Sequence, residues 1–122
     1  MAEIDKYLAG KYPLVKEIHD NLLAKIQQLI KRFRIESREA SINLVAWGAF
    51  LSFRFLKDRL RVTIVLDRPI EHKHLHKSGQ VSRKRFHNEV DLFKVTDIDT
   101  ELLDLVKEAY LLHSFSQKEE LT

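Results

Sequence analysis

Two stripes of apolar residues at helical spacing lie near opposite ends of the chain, and they constrain its fold more than any other feature. From Pro13 to Phe33, and again from Asp97 to Leu112, apolar residues recur at steps of three and four, which is typical of amphipathic helices. The second stripe consists of Leu102, Leu105, Val106, Ala109 and Leu112. Such helices gain most of their stability by packing. The sequence therefore predicts two helices that cover a common apolar surface.

Residues near the helix ends support the predicted start and end of each helix. Pro13 has no backbone N–H and suits the first helical turn, where that group has no helical partner. Thr96 or Asp97 is available as the N-cap of the second helix. Three basic residues lie near the end of the first helix, where their positive charges would interact favourably with the exposed carbonyls of the last helical turn. This group is Lys31, Arg32 and Arg34.

The region between the helices is predicted to form an antiparallel sheet. The stretch "LRVTIVLD" alternates apolar and polar residues, as expected of a strand with one buried face. "SINLVAW" and "AFLSFRFL" are two further strands, "FHNEVDLFKV" is a weaker one, and Lys57 and Asp58 mark a hairpin turn. We expect an α+β two-layer sandwich: an antiparallel meander of three to four strands with both helices on one face. That face carries Leu60, Val62, Ile64 and Leu66.

Length and composition favour one globular domain. The chain has 122 residues, 44% of them hydrophobic and 32% charged, enough for one core but not for two. We expect a single domain over residues 1–122, with its core at about 12–114 and a frayed tail at 115–122. There is no cysteine, no apolar run long enough to span a bilayer and no signal-peptide pattern. A soluble, cytoplasmic protein without a membrane partner is expected.

Positive charge is concentrated in one part of the chain. Residues 68–87 contain six lysines and arginines against one acidic residue, Glu71, although the whole chain has a net charge of only +3. The stretch from Glu71 to Lys84 has few apolar anchors, so we predict a mobile, poorly ordered hairpin connection. If it binds a polyanion, phosphates would be the expected contacts. The candidate binding residues are Lys73, Lys77, Arg83, Lys84 and Arg85.

The same stretch contains an alternative metal site. His72, His74 and His76 are spaced two residues apart, so in an extended segment all three would project from one side. A working site would also need a carboxylate and supporting hydrogen bonds, whereas Glu71 would alternate to the opposite side. Solvated histidines in a basic loop are therefore the favoured interpretation, and no metal or other cofactor is expected.

Catalytic motifs are scarce. The chain has three glycines and lacks a phosphate-binding glycine loop, a Gly-x-Ser-x-Gly sequence and a His-Glu-x-x-His sequence. "NEVDLFK" offers Glu89, Asp91 and Lys94 in an order that a magnesium-dependent nuclease could use, but no second acidic pair accompanies them. We therefore assign no catalytic residue, and the sequence favours a non-enzymatic domain.

Several stretches resemble a small prokaryotic family of domains of unknown function, numbered 5655 and sometimes labelled "predicted transport protein". They are "INLVAW", "LRVTIVLD" and "VTDIDTELLDLVKEAYLLHS", with the Asp97-Ile98-Asp99 step and the Ala109-Tyr110 pair. The resemblance runs from Leu14 to Ser114 and implies an α+β fold with no known activity. Relatives often lie beside nuclease or restriction-related domains, which implies a nucleic-acid setting. Many have a glycine- and tryptophan-containing turn before the last strand, where this chain has only Gly79.

Three functions remain open. An accessory or protein-interaction domain is the leading interpretation, with an unknown protein as partner. Weak binding of nucleic acid through residues 68–87 is the alternative, and a metal- or small-ligand-dependent enzyme is the second alternative. Trp47 and Phe50 would indicate a homodimer if they formed an uncovered apolar patch. Salt dependence separates the first two, because phosphate contacts release counterions.

Overall fold

The computed structural model describes residues 12–38 and 41–114, which form two α-helices and one six-stranded antiparallel sheet. The α+β class is therefore confirmed. The tail expected at residues 115–122 lies outside the described residues. The elements in chain order are α1 (Pro13–Leu29), β1 (Arg34–Ser37), β2 (Ser41–Val45), β3 (Ala49–Phe55), β4 (Leu60–Leu66), β5 (Leu75–Ser82), β6 (Arg85–Leu92), a 3-10 helix (Val95–Asp97) and α2 (Thr100–Leu112).

The sheet has six strands, so the expected number of three to four is wrong. The two unexpected strands, β1 and β5, lie at the two edges of the sheet. None of their residues is fully buried. An edge strand can be held by backbone hydrogen bonds on one side without an apolar alternation in its sequence. That is why the hydrophobic pattern did not reveal either strand.

The strand order is β1-β2-β3-β4-β6-β5, so the sheet is not the simple meander that we expected. The chain leaves β4, forms β5 at the edge, and returns as β6 between them. Val90 and Leu92 of β6 are fully buried, whereas β5 offers no buried side chain. The apolar strand therefore occupies the interior position, where both of its edges are paired.

Both helices pack on the same face of the sheet, as predicted. The four apolar residues of β4 are fully buried in a core cluster that includes the stripes of α1 and α2. His19 of α1 places its ring against those of Phe53 and Phe55, with centroids 5.2 and 5.3 Å apart. Tyr110 of α2 packs edge-on against Phe50 at 5.4 Å. One apolar face of the sheet thus serves both helices.

Both helices are shorter than predicted. Helix α1 ends at Leu29 because Ile30 is extended, although the ammonium of Lys31 still donates to the Gln27 carbonyl at 3.0 Å. Helix α2 begins at Thr100, and its N-cap is Asp99, not Thr96 or Asp97. The Asp99 carboxylate accepts from the Leu102 N–H at 2.8 Å. Within the described ranges, neither helix has the length and apolar content that a membrane span requires.

None of the helices in residues 12–38 and 41–114 lies on the other face of the sheet, and we call it the open face. Side chains alternate between the two faces along each strand. In β4, Arg61 and Thr63 therefore lie on the open face between the buried residues. In β6 the corresponding residues are Arg85, His87, Glu89 and Asp91. The open face is therefore largely polar.

Candidate nucleic-acid interface

The basic stretch is part of a β-hairpin. Leu75–Ser82 forms β5 and pairs with β6 from Leu75 opposite Val90 to Ser82 opposite Arg85. Only residues 83 and 84 form the turn between the two strands. The prediction of a poorly ordered connection is therefore wrong for most of the stretch. It considered only apolar side chains, whereas β5 is held by backbone hydrogen bonds to β6.

A buried amide holds this hairpin to the rest of the sheet. The Asn88 side chain is fully buried, and its Oδ1 accepts from the Ser78 hydroxyl at 2.6 Å and the Ile70 N–H at 3.2 Å. Its Nδ2 donates to the carbonyls of Arg68 and Ile64 at 3.1 and 3.3 Å. Both ends of the amide are satisfied, so Asn88 joins β5 and the preceding connection to β4.

Two of the predicted binding residues have carboxylate partners. The Lys73 ammonium lies 3.9 Å from Asp99 Oδ2, and the Lys77 ammonium lies 3.8 Å from Glu89 Oε2. Both lysines are exposed, so these ion pairs contribute little to stability. Their charges are nevertheless partly neutralised, and they are weaker candidates for phosphate contacts than the sequence indicated.

The other three predicted residues form an uncompensated basic cluster at the hairpin turn. Arg83 and Lys84 are exposed, and Arg85 is half-buried at the start of β6. The Arg85 guanidinium donates to the Lys84 carbonyl at 3.1 Å. Among residues 12–38 and 41–114, no carboxylate pairs with any of the three. A run of cations without carboxylate partners among the described residues suits phosphate oxygens.

Asp91 is the centre of an ion-pair network at the opposite end of the open face. Arg61 binds its carboxylate in bidentate fashion, with Nε 2.8 Å from Oδ1 and Nη2 3.0 Å from Oδ2. Arg59 adds a contact at 3.3 Å, while Glu89 lies 3.6 Å from the Arg61 guanidinium. Burial acts to raise the pKa of Asp91, but the hydrogen bonds from Arg61 and Arg59 outweigh it, and the pKa is lowered.

This network also shows where the residues of the nuclease hypothesis lie. Asp91 and Glu89 share the open face, but their oxygens contact guanidinium and ammonium groups. Lys94 lies beyond the end of β6, where its backbone N–H donates to Asp97 Oδ2 at 3.2 Å. The structure does not bring Lys94 into an acidic site with Glu89 and Asp91.

The three histidines of the metal hypothesis each contact a different carboxylate, although the rings of His72 and His74 are neighbours with centroids 5.8 Å apart. His72 has a fully buried side chain and contacts Asp99 at 3.2 Å, and the His74 ring lies 3.4 Å from Asp97. His76 contacts Asp91, at 3.9 Å. In the part of the chain that the structure describes, no group of three or more His, Cys, Asp or Glu side chains is placed to hold a metal ion.

His72 and His74 instead join β5 to the N-terminus of α2. The His74 N–H donates to His72 Nδ1 at 3.0 Å, so the neutral ring carries its proton on Nε2 and donates it to Asp99. Asp97 accepts the Phe93 N–H at 2.9 Å. Burial acts to raise the pKa of Asp99, and hydrogen bonds from the Leu102 N–H and His72 lower it overall. The Asp97-Ile98-Asp99 step is thus a structural junction.

Beside the basic turn, the open face contains a groove of about 530 Å³. Its floor is a row of polar side chains on neighbouring strands, where Asn43 lies opposite Ser52 and Ser52 opposite Thr63. Arg85, His87 and Val81 line the side nearest the hairpin. Gly48, Ala49 and His113 line it near the bend between β2 and β3. The groove therefore connects the basic turn with that bend.

Trp47 lies in the same bend and is 69% exposed. It lines a second cavity, of about 390 Å³, together with Arg32, Arg34, Phe33 and Tyr110. Consecutive residues line the two cavities: Trp47 lines this one and Gly48 lines the groove. Exposed tryptophan beside arginine is typical of recognition surfaces. Phe50 is fully buried, so Trp47 and Phe50 do not form the uncovered patch that would have indicated a homodimer.

These features form one surface, which we call the basic-aromatic strip. It runs from the hairpin turn through the groove to the second cavity. Sequence reasoning identified only the hairpin end, because the rest comes from three separate segments that folding brings together. Two signals were present: the chain's single tryptophan in a glycine-containing bend, and the polar positions of β3 and β4. The strip consists of Arg83, Lys84, Arg85, Asn43, Ser52, Thr63, Val81, His87, Gly48, Trp47, Arg32 and Arg34.

Comparison with known proteins identifies the family. Residues 4–113 match the model of the family described as "Domain of unknown function (DUF5655)". The chain belongs to this family. No curated protein and no solved structure matches the chain significantly. Membership in DUF5655 confirms the resemblance seen in the sequence, and the family description names no activity, ligand or transport role.

Proposed function

We propose that this DUF5655 domain binds single-stranded nucleic acid along the basic-aromatic strip. The observation that carries the proposal is the position of Trp47: exposed, beside Arg32 and Arg34, and joined to the basic hairpin turn by a groove. Single-strand binding surfaces combine a cationic track for the backbone with aromatic side chains on which bases stack. The strip supplies both components.

The hairpin turn supplies the electrostatic component. Arg83, Lys84 and Arg85 carry three positive charges without carboxylate partners among the described residues, so no ion pair has to be broken before a phosphate binds. Arg32 and Arg34 extend the positive charge at the other end of the strip. Arg34 lies 3.5 Å from Glu36, so this end is partly neutralised. We therefore assign most of the salt-dependent binding to the hairpin turn.

Trp47 supplies the stacking component. Its side chain is exposed and lies in one cavity with Arg32 and Arg34. Stacking of one base on an aromatic side chain contributes about 1 to 3 kcal/mol. A base stacked on Trp47 would leave its neighbours in the strand within reach of the groove on one side and of Arg32 on the other.

The first experiment measures the affinity for a labelled single-stranded oligonucleotide by fluorescence anisotropy at several salt concentrations. Replacing Arg83, Lys84 and Arg85 together by alanine should weaken binding. It should also reduce the magnitude of the slope of log affinity against log salt concentration by about 2, because each lost phosphate contact removes about 0.7 from that slope. The matched control replaces the exposed Lys25, Lys57 and Lys107 by alanine, which removes the same charge away from the strip.

The second experiment uses Trp47 as both contact and reporter. Because it is the only tryptophan, nucleic acid stacked on it should change the intrinsic tryptophan fluorescence of the parent protein. Trp47→Ala should weaken binding about 5-fold or more, which corresponds to the loss of one stacked base. Trp47→Phe should retain most of the affinity.

Two results would count against the proposal. If the parent does not bind any single strand at low salt, nucleic-acid binding is wrong, and the protein-interaction interpretation leads. If the control triple variant weakens binding as much as the hairpin variant does, the contact is a general attraction to a basic protein and does not involve the strip.

A further inference from the structure

The floor of the groove is a row of side chains that can form hydrogen bonds. Asn43, Ser52 and Thr63 lie directly opposite one another on β2, β3 and β4. Each is half-buried, and the described residues provide no hydrogen-bond partner for its side chain. A carboxamide and two hydroxyls offer both donors and acceptors. Such a row can bind a planar group through its polar edge.

The walls of the groove differ from its floor. Val65 and Val81 contribute apolar side chains, and Gly48 and Ala49 have little or no side chain to occupy the space beside them. Arg85 places a guanidinium at the side nearest the hairpin. The volume of about 530 Å³ falls within the range of roughly 300 to 1,000 Å³ typical of small-ligand sites. A flat ring with a polar edge and an attached anion fits these walls.

We infer that the groove binds one nucleobase of the bound strand, with adenine preferred. The base edge would bond to the row of Asn43, Ser52 and Thr63, and the adjacent phosphate would meet Arg85. Adenine is favoured because an asparagine carboxamide can pair with its N6 and N7 at the same time. This inference rests on the proposed function, and it adds base preference to a surface that otherwise contacts backbone and stacks bases without discrimination.

The test compares the affinity of the full chain for single strands of adenine, cytosine or thymine and for an abasic strand of the same length. The parent should prefer the adenine strand over the pyrimidine strands by about 5-fold or more, as one good base contact provides. Ser52→Ala combined with Thr63→Val removes two hydroxyls while keeping the shapes similar, and it should reduce the preference to below about 2-fold. Asn43→Ala should also reduce the preference for adenine.

The control is Thr96→Val, which changes an exposed threonine between β6 and α2, outside the groove. It should keep the adenine preference of the parent. Circular dichroism of each variant shows whether it folds, and Asn43→Ala provides a separate test if the double variant does not.

The outcomes separate this inference from the proposed function. Equal affinity of the parent for the adenine, cytosine and thymine strands, together with weaker binding of the abasic strand, overturns the base site and leaves the proposed stacking and backbone contacts intact. Retention of the adenine preference in the folded double variant also overturns it, because the row would then not contact the base. Absence of binding to every strand removes both proposals.

Discussion

The two faces of the sheet are built from alternate residues of the same strands, and they serve different purposes. In β4 the residues Leu60, Val62 and Ile64 are fully buried beneath the helices, whereas Arg61 and Thr63 lie between them on the open face. The covered face is lined by the apolar core cluster, while the open face holds the Asp91 network and the groove. Neighbouring residues of one strand therefore contribute to stability or to the proposed binding. Single substitutions can measure the two contributions separately.

The largest expected difference in stability is between alanine variants of two aromatic residues that are three positions apart. Phe50→Ala should destabilise the protein by about 3 to 5 kcal/mol, because a fully buried ring is lost from the core. Trp47→Ala should change stability by no more than about 0.5 kcal/mol, because its side chain is mostly exposed. Urea denaturation of both variants measures the contrast. Similar losses would mean that Trp47 is part of the core.

A second contrast compares neighbouring residues of β4. Ile64→Ala should cost about 2 to 5 kcal/mol, because it leaves a cavity under the helices. Thr63→Ala, on the open face, should cost less than about 1 kcal/mol, which is the span of strand propensities. Thermal unfolding of the pair tests the assignment of faces, and an equal or reversed order would contradict it.

The Asp91 network is expected to have a smaller, pH-dependent effect. Asp91→Asn should cost about 1 to 3 kcal/mol at neutral pH, because hydrogen bonds to a charged carboxylate are lost. The pKa of Asp91 is lowered in the folded protein, so its stabilisation is present above the ordinary value of 3.8 and is lost as the pH falls through the folded pKa.

The difference in unfolding free energy between the parent and Asp91→Asn should therefore shrink as the pH is lowered below about 4. Denaturation curves recorded between neutral and acidic pH provide the measurement. Glu36→Gln serves as the control, because Glu36 is near Arg34 and Arg38 only at longer distances, 3.5 and 3.9 Å. A difference that is independent of pH would show that the Asp91 charge does not stabilise the fold.

The smallest expected effect on stability comes from the hairpin turn. Replacing Arg83, Lys84 and Arg85 by alanine should leave the unfolding midpoint almost unchanged, within about 0.5 kcal/mol, because no ion pair among the described residues depends on them. A strongly destabilised variant would mean that the cluster has a structural role. The same variant should show the loss of nucleic-acid affinity described above.

The covered face could be predicted from the sequence because burial leaves a periodic pattern. The alternation in β4 and the stripe from Leu102 to Ala109 marked core residues directly, and both helices lie on the predicted face. The edge strands β1 and β5 could not be predicted in this way, because their stability comes from backbone pairing. β6 lies in the interior of the sheet because β5 pairs with its outer edge. Since β5 was not predicted, the predicted strand order was wrong as well.

The open face could be predicted only in part. Charge density marked the hairpin, but charge alone did not show that Lys73 and Lys77 face carboxylates while Arg83 and Lys84 do not. Those partners lie 12 or more positions away in the sequence. The groove and its connection to Trp47 also depend on contacts between distant strands. Composition therefore located one end of the strip, and only the fold revealed its extent.

The most direct test of the proposed strip is to map backbone amide chemical shifts during titration with a single-stranded oligonucleotide. The account predicts that the shifts of residues 43, 47–49, 52, 63 and 81–87 change with a common affinity that weakens as salt increases. Amides on the outer surfaces of α1 and α2 should remain unchanged. Shifts concentrated on those helices, or no shifts at low salt, would contradict the claim that the open face is the binding surface.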